Sequence, residues 1–243
     1  MDGMTRQRRR RIIAARRTGT GLALVAAISF VAGMTDAVGV IMSGDFVSFM
    51  TGNTTRAAIA LGNGNLHHAL VLFLAIATFV AGNALGVVVA YSAPRPIFAV
   101  LAGVSMVLAV ASTVRAPDLA LLQFLLIVLG MGMVNATVEQ VGGLPIGLTY
   151  VTGALSRFGR GIGRFLMGDR RLDWTIQIIP WLGMIAGAIA GALLGGWLQS
   201  DALWIVAVVT MAAALVSRLI PRRLQTRFGH QAAQRQQPVQ QRR

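Results

Sequence analysis

The chain has 243 residues, of which 55% are hydrophobic and only 12% charged, with a mean hydropathy of +0.67; a soluble domain would carry about twice that share of charge. All 22 cations are arginine, and 14 of them sit in residues 6–17 and 218–243, so the net charge of +14 does not describe the folded basic face that nucleic-acid binding needs. The absence of cysteine excludes disulfides and thiolate chemistry, and three scattered histidines (His67, His68, His230) indicate no metal site; no cofactor is expected.

In chain order, six apolar stretches approach the length of about 20 residues that a helix needs to cross a bilayer. They fall at 21–42, 67–92, 97–114, 119–140, 174–198 and 203–220. The first follows a basic segment and resembles a signal peptide. Its apolar run is too long, however, and no small-residue processing site closes it, so it is expected to stay in the mature protein. The short third span is bounded by Pro94-Arg95-Pro96 and Arg115-Ala116-Pro117-Asp118, because proline cannot continue a helical hydrogen-bond ladder. The domain reading is a basic segment at 1–20, a transmembrane domain at 21–220 and a basic, disordered tail at 221–243.

Orientation follows from the arginines. With the N-terminus inside, the cytoplasmic segments hold twenty and the outer segments only Arg56 and Arg115. Both termini are therefore expected in the cytoplasm of a bacterial inner membrane. Trp174, Trp197 and Trp204 read as interfacial anchors near span ends, whereas Trp181 lies deeper with no role its position explains.

Two segments fit neither a span nor a solvated loop. Residues 43–64 and 141–166 are apolar but broken by glycine. They are either re-entrant elements, tolerated where protein or a wet cavity surrounds the backbone, or interfacial amphipathic helices.

The two halves of the chain align. Gly33-Met34-Thr35-Asp36-Ala37-Val38 matches Gly132-Met133-Val134-Asn135-Ala136-Thr137, Ser48–Asn53 matches Thr149–Ala154, and Ala81–Gly86 matches Ala186–Gly191. The offsets are 99, 101 and 105, so order is kept with small insertions. Repeat one covers 21–114 and repeat two 119–220. Three spans per repeat would invert the second copy across the bilayer, as in many secondary transporters. The alternative is an old duplication kept only for folding.

The Gly33–Val38 run, the Phe46–Thr54 run and the Leu148–Leu155 run together resemble the YoaK-like family of bacterial membrane proteins, over about residues 20–220. The resemblance implies a six-helix inner-membrane protein and supplies no substrate.

Candidate chemistry centres on Asp36, well inside the first span, where a carboxylate is costly unless paired, wet or protonated. Its repeat mate is Asn135, and Glu139 would lie one turn further along the same face. The functional reading is a proton- or cation-coupling site. The structural alternative is an Asp36 at a helix end, hydrogen-bonded to the glycine-rich segment. Thr51, Gly52 and Asn53, with Thr152 and Gly153, offer hydroxyl and amide groups beside a bend, and serve equally well as helix caps. Gly82 and Gly86, and Gly187, Gly191 and Gly195, form small-residue faces on the second and fifth spans, expected to pack against each other. Asp45, Ser48 and His67 or His68 sketch a Ser–His–Asp set, but no nucleophile motif flanks it and an enzyme is not expected.

The sequence thus points to an all-α, polytopic transmembrane bundle of about six spans in two inverted three-helix repeats with re-entrant or broken segments. The leading functional expectation is a small secondary transporter for an unidentified solute or ion. The alternative is a non-transporting assembly factor or sensor that binds partners through its glycine faces. Partners beyond the lipid bilayer are not readable, and a homo-oligomer is compatible with either.

Overall fold

A computed structural model describes residues 2–137, 140–141, 144–145, 151–198 and 201–220, with residues 2–18 and the two short strands defined by backbone course alone. Among the described residues eight α-helices follow one another: α1 (Asp2–Ser43), α2 (Met50–Gly62), α3 (Leu66–Ser92), α4 (Pro96–Thr113), α5 (Ala120–Val134), α6 (Val151–Leu166), α7 (Ile179–Leu198) and α8 (Ala202–Ser217). A two-residue antiparallel pair joins Gln140–Val141 to Leu144–Pro145 between α5 and α6. The 3-10 turns Pro117–Leu119 and Asp173–Ile178 lead directly into α5 and α7.

Five of these elements are long and apolar enough to cross a bilayer, namely Gly19–Ser43, Leu66–Ser92, Pro96–Thr113, Pro117–Val134 and Asp173–Leu198; α8 is apolar but shorter. The expected spans are all present, with two changes. The basic N-terminal segment is helical from Asp2 and continuous with the first span, so α1 runs unbroken to Ser43. The fourth span stops at Val134, short of the expected 140, because Asn135 takes the C-cap and the chain enters a turn.

Burial separates the helices by position. In the most apolar window of α1, 67% of residues are buried, against 22% in α3 and 28% in the span ending in α7. α1 therefore runs through the middle, and α3 and α7 lie at the periphery. The outer faces of these two carry Leu70, Phe73, Val80 and Val88, and Leu182, Ile189 and Leu193, all exposed. Unpaired apolar surface on this scale is what a lipid-facing helix presents.

Three pairings build the bundle: α1 with α7, α3 with α5, and α4 with α8. Glycine makes the first two. On α7, a Cβ at Gly183, Gly187 or Gly191 would run into the backbone of Ala26, Phe30 or Met34 on α1, and one at Gly33 would strike Met184. On α3, Gly82 and Gly86 press on Leu129 and Met133 of α5, and Gly132 presses on Phe79. The expectation that the glycine faces of the second and fifth spans meet each other is therefore wrong. Each packs on the first span of the other half. Sequence could show that these faces permit close approach, but it could not assign the partner helix.

These contacts fix helix directions. Residue numbers rise together along α1 and α7, and along α3 and α5, so both pairs are parallel. Ser105 Oγ donates to Ala207 O at 2.7 Å, while Arg95 Nη1 donates to Arg218 O and Arg115 Nη2 to Asp201 Oδ1, so α4 and α8 are antiparallel. The glycine contacts also exchange under the repeat offsets. Gly33–Met184 becomes Gly132–Phe79, Gly187–Phe30 becomes Gly82–Leu129, and Gly191–Met34 becomes Gly86–Met133.

Candidate substrate cleft

Asp36 sits seven residues before the end of α1, about 10 Å of helix below Ser43. The chain reverses immediately after that helix at Gly44, whose φ of 79° belongs to the left-handed region that glycine enters without strain. It then runs back down alongside α1. Val47 fills the space over Gly39, and Ser48 reaches Asp36. The Ser48 backbone N–H donates to Asp36 Oδ1 at 3.0 Å, and the Ser48 hydroxyl donates to Oδ2 at 2.6 Å. Donors on both oxygens of one carboxylate are what let it sit at 8% exposure inside the bundle.

From this low point the chain climbs again through α2. The Phe46 and Phe49 rings meet edge to face, 5.3 Å between centroids, and close over Gly52. Asn53 is fully buried, and its Nδ2 donates to Phe46 O at 2.7 Å, bracing the descending strand from the rising helix. At the top of the dip a second carboxylate pins the loop. Asp45 Oδ1 accepts from Arg56 Nη1 at 2.7 Å, the same guanidinium nitrogen donates to Gly44 O at 2.7 Å, and His68 Nε2 lies 3.0 Å from Asp45 Oδ2. Residues 44–49 are thus a strap fastened at both ends by an acid.

The other half sends α6 to the same place. Its first turns, through Val151, Thr152 and Leu155, line a cleft of about 360 Å³ together with Asp36, Phe46, Ser48 and Phe49 and with Trp181, Met184, Ile185 and Ala188 of α7. Met184 lies against Gly33, so the cleft sits near the middle of the Gly19–Ser43 span. Away from the cleft, α6 is anchored by Trp174. That indole covers Gly161 and packs against Phe158 and Phe165 at 5.2 and 6.3 Å, while Arg157 Nε donates to Gln177 Oε1 at 2.9 Å. The arginines of α6 (Arg157, Arg160, Arg164) alternate with an apolar stripe (Leu155, Phe158, Ile162, Phe165), so this helix is amphipathic along its length.

The residues expected to form the site divide. Asp36 and Thr152 meet in the cleft. Thr51, Gly52, Asn53, Gly153 and Asn135 do not line it. Thr51 is exposed on α2, Gly52 seats the two phenyl rings, Asn53 braces the strap, and Gly153 lies beside the Arg157 guanidinium. Asn135 takes the C-cap position of α5, its Nδ2 donating to Met131 O at 3.3 Å. Glu139 lies outside the described residues. Of the Ser–His–Asp set only the His68–Asp45 pair is formed, because the Ser48 hydroxyl donates to Asp36 and not to the histidine. Reasoning from sequence missed Ser48 as the partner of Asp36 and missed the aromatic wall. The one available signal was Trp181, a tryptophan too deep to be an interfacial anchor.

Among the described residues, no three histidine or acidic side chains gather as a metal site would require. The cleft instead offers one carboxylate, two hydroxyls and an apolar, aromatic lining. No solved structure matches the chain significantly. A curated relative, the UPF0700 transmembrane protein RA0705 of Rhizobium meliloti (strain 1021), is 52% identical over 225 residues, which is 93% of this chain and 98% of the relative. The model of the family described as "Protein of unknown function (DUF1275)" matches residues 24–216. With its membrane-length helices and a match over most of its length, the chain belongs to the DUF1275 family and is a multi-pass transmembrane protein.

Proposed function

We propose that this protein is a small secondary transporter built from two inverted three-helix repeats, with its solute site in the cleft beside Asp36. One observation carries the reading. A buried carboxylate lines a cavity near mid-span, and the walls of that cavity come from the irregular segment of each half, 44–49 from one and the start of α6 from the other. Substrate sites at mid-membrane between inverted repeats, formed where helices are interrupted, are the arrangement that alternating access requires. Support for the inversion comes from the exchange of glycine contacts between the halves and from the helix directions, with α1 and α7 parallel and α4 and α8 antiparallel.

In this mechanism the glycine-tight pairs α1–α7 and α3–α5 are the rigid units. The strap at 44–49 closes one side of the cleft while Ser48 holds Asp36, and α6 borders the other. Opening toward the Ser43 side requires Ser48 to leave the carboxylate. A solute or proton that takes its place on Asp36 would therefore be coupled to that movement. The alternative of an assembly factor or sensor loses its main support, since Gly82, Gly86, Gly187 and Gly191 are all used in contacts within the chain.

The test is flux into proteoliposomes against a metabolite panel, with and without a pH gradient. Parent protein should move at least one solute in a pH-dependent manner, and Asp36→Asn should insert normally and lose that dependence. Equal flux and equal pH dependence in the variant would remove Asp36 from the coupling role. The orientation in the membrane is part of the proposal. Reporter fusions after Arg95 and Gly168 should read as cytoplasmic, and those near Gly62 and Pro117 as external. An external reading at Gly168 would overturn the inverted arrangement.

A further inference from the structure

We infer that the cleft selects a small organic cation with an apolar body, such as an aryl or alkyl ammonium; this deepens the transporter reading and rests on it. Among the described residues that line the cleft, Asp36 is the only ionisable group. Arg157, on the same helix as Thr152, is tied to Gln177 at 2.9 Å. An anion entering here would meet a carboxylate and no lining cation, and a sugar would find few polar groups for its many hydroxyls. An ammonium finds the reverse. A carboxylate presents about four lone-pair sites over its two oxygens; Ser48 donates to both oxygens and the Val47 backbone N–H adds a third donor, so about one acceptor position remains for a ligand in the cleft that Asp36 lines.

The rest of the wall fits the same class. Phe46, Phe49 and Trp181 supply three aromatic rings, and Leu155, Met184 and Ile185 supply apolar surface. Aromatic faces attract cations through the ring quadrupole, most strongly for tryptophan and where water is excluded. The chain already uses that contact just outside the cleft, where the Arg56 guanidinium lies 5.5 Å from the Phe46 ring centre. A volume of about 360 Å³ falls in the range of small-molecule sites and suits a ligand of one ring or a short chain. A cation seated against Asp36 and a proton carried on it exclude one another. That competition is what a proton-coupled exchanger needs, so the inference also specifies how coupling would arise.

The experiment is calorimetric titration of purified full-length protein in a non-ionic detergent with two probes of similar size and opposite charge, phenyltrimethylammonium and benzenesulfonate. The parent should bind the ammonium and not the sulfonate. Asp36→Asn should weaken ammonium binding by about tenfold or more, the effect of losing one charge-assisted partner. Thr152→Lys, on an exposed turn of α6, should do the same by placing an ammonium in the cleft; it decides the matter if Asp36→Asn fails to fold. Preference for the sulfonate, binding of neither probe, or ammonium binding unchanged in a folded variant would overturn the cation class. Flux of the same ammonium into proteoliposomes keeps the two proposals apart. Binding without flux would overturn transport and leave the cation site standing, whereas flux of another solute with no ammonium binding would do the reverse.

Discussion

The two halves of the molecule share a scaffold and differ in chemistry. In the first, α1 carries Asp36, and the segment after it folds back so that Ser48 can reach the carboxylate. In the second, the equivalent helix α5 ends at Asn135, which caps it, and the helix that follows the break is the amphipathic, arginine-bearing α6. The glycine contacts are nevertheless the same in both halves: Gly187 on Phe30 is matched by Gly82 on Leu129, and Gly191 on Met34 by Gly86 on Met133. The difference teaches where each kind of constraint acts. Close backbone approach leaves no room for any side chain, so both copies must satisfy it identically. A polar group within a span is under no such steric constraint, and only the first half carries a carboxylate at this position. Burial says the same, since α1 with its acid is the central helix and α3 and α7, the two glycine-faced partners, are peripheral.

The largest effects should come from breaking the shared part. Gly187→Leu and Gly82→Leu each drive a side chain into the opposing backbone, and both should abolish recovery of folded, monodisperse protein in detergent. Comparable losses for the two sharpen the equivalence of the halves, and a variant that melts like the parent would show that its pair is not a rigid unit. Gly187→Ala is the finer form of this test. Alanine gains up to about 1 kcal/mol of helix propensity over glycine, yet here its Cβ meets Phe30 O, so the net effect should be a lowered thermal midpoint.

Next come the positions at which the halves diverge. Asp36→Asn makes the first half resemble the second at this one position. It should leave insertion intact and remove pH-dependent flux, as measured in proteoliposomes. Loss of folded protein would instead make the carboxylate a structural bracket for the strap. Ser48→Ala removes the hydroxyl donor to Asp36 and should cost about 1–3 kcal/mol, read as a lower midpoint together with faster proteolysis within 44–49. Arg56→Met acts on the other fastening of the strap. The Arg56 side chain is 44% exposed but that of Asp45 only 10%, so losing the guanidinium leaves a nearly buried carboxylate with His68 as its remaining partner, and the midpoint should fall by an amount equivalent to about 1–2 kcal/mol.

The smallest effect is expected at Gly196, one residue beyond the packing stripe, where nothing lies within reach of an added Cβ. Gly196→Ala should be neutral or raise the midpoint slightly, and a clear destabilisation there would show that α7 meets a surface beyond α1.

The sequence by itself marked the apolar spans and the matching runs of the two halves. These depend on local quantities, the length of apolar runs, the positions of proline and the recurrence of Gly33-Met34 as Gly132-Met133, which a linear chain displays directly. It also marked Asp36, because a carboxylate within a span stands out against any apolar background. Only the tertiary structure decided what surrounds that acid. Ser48 is twelve residues away and becomes its partner because the chain reverses at Gly44 and runs back over Gly39, and no periodicity records such a fold-back. Thr152 comes to the same cleft from the other half of the chain, and Trp181 completes it from a helix that glycine holds against α1. The glycine stripes show the same division. Their spacing announces that a helix can be approached closely, but which helix approaches is set by how all the apolar faces fill the bundle together, and that is a property of the assembled fold.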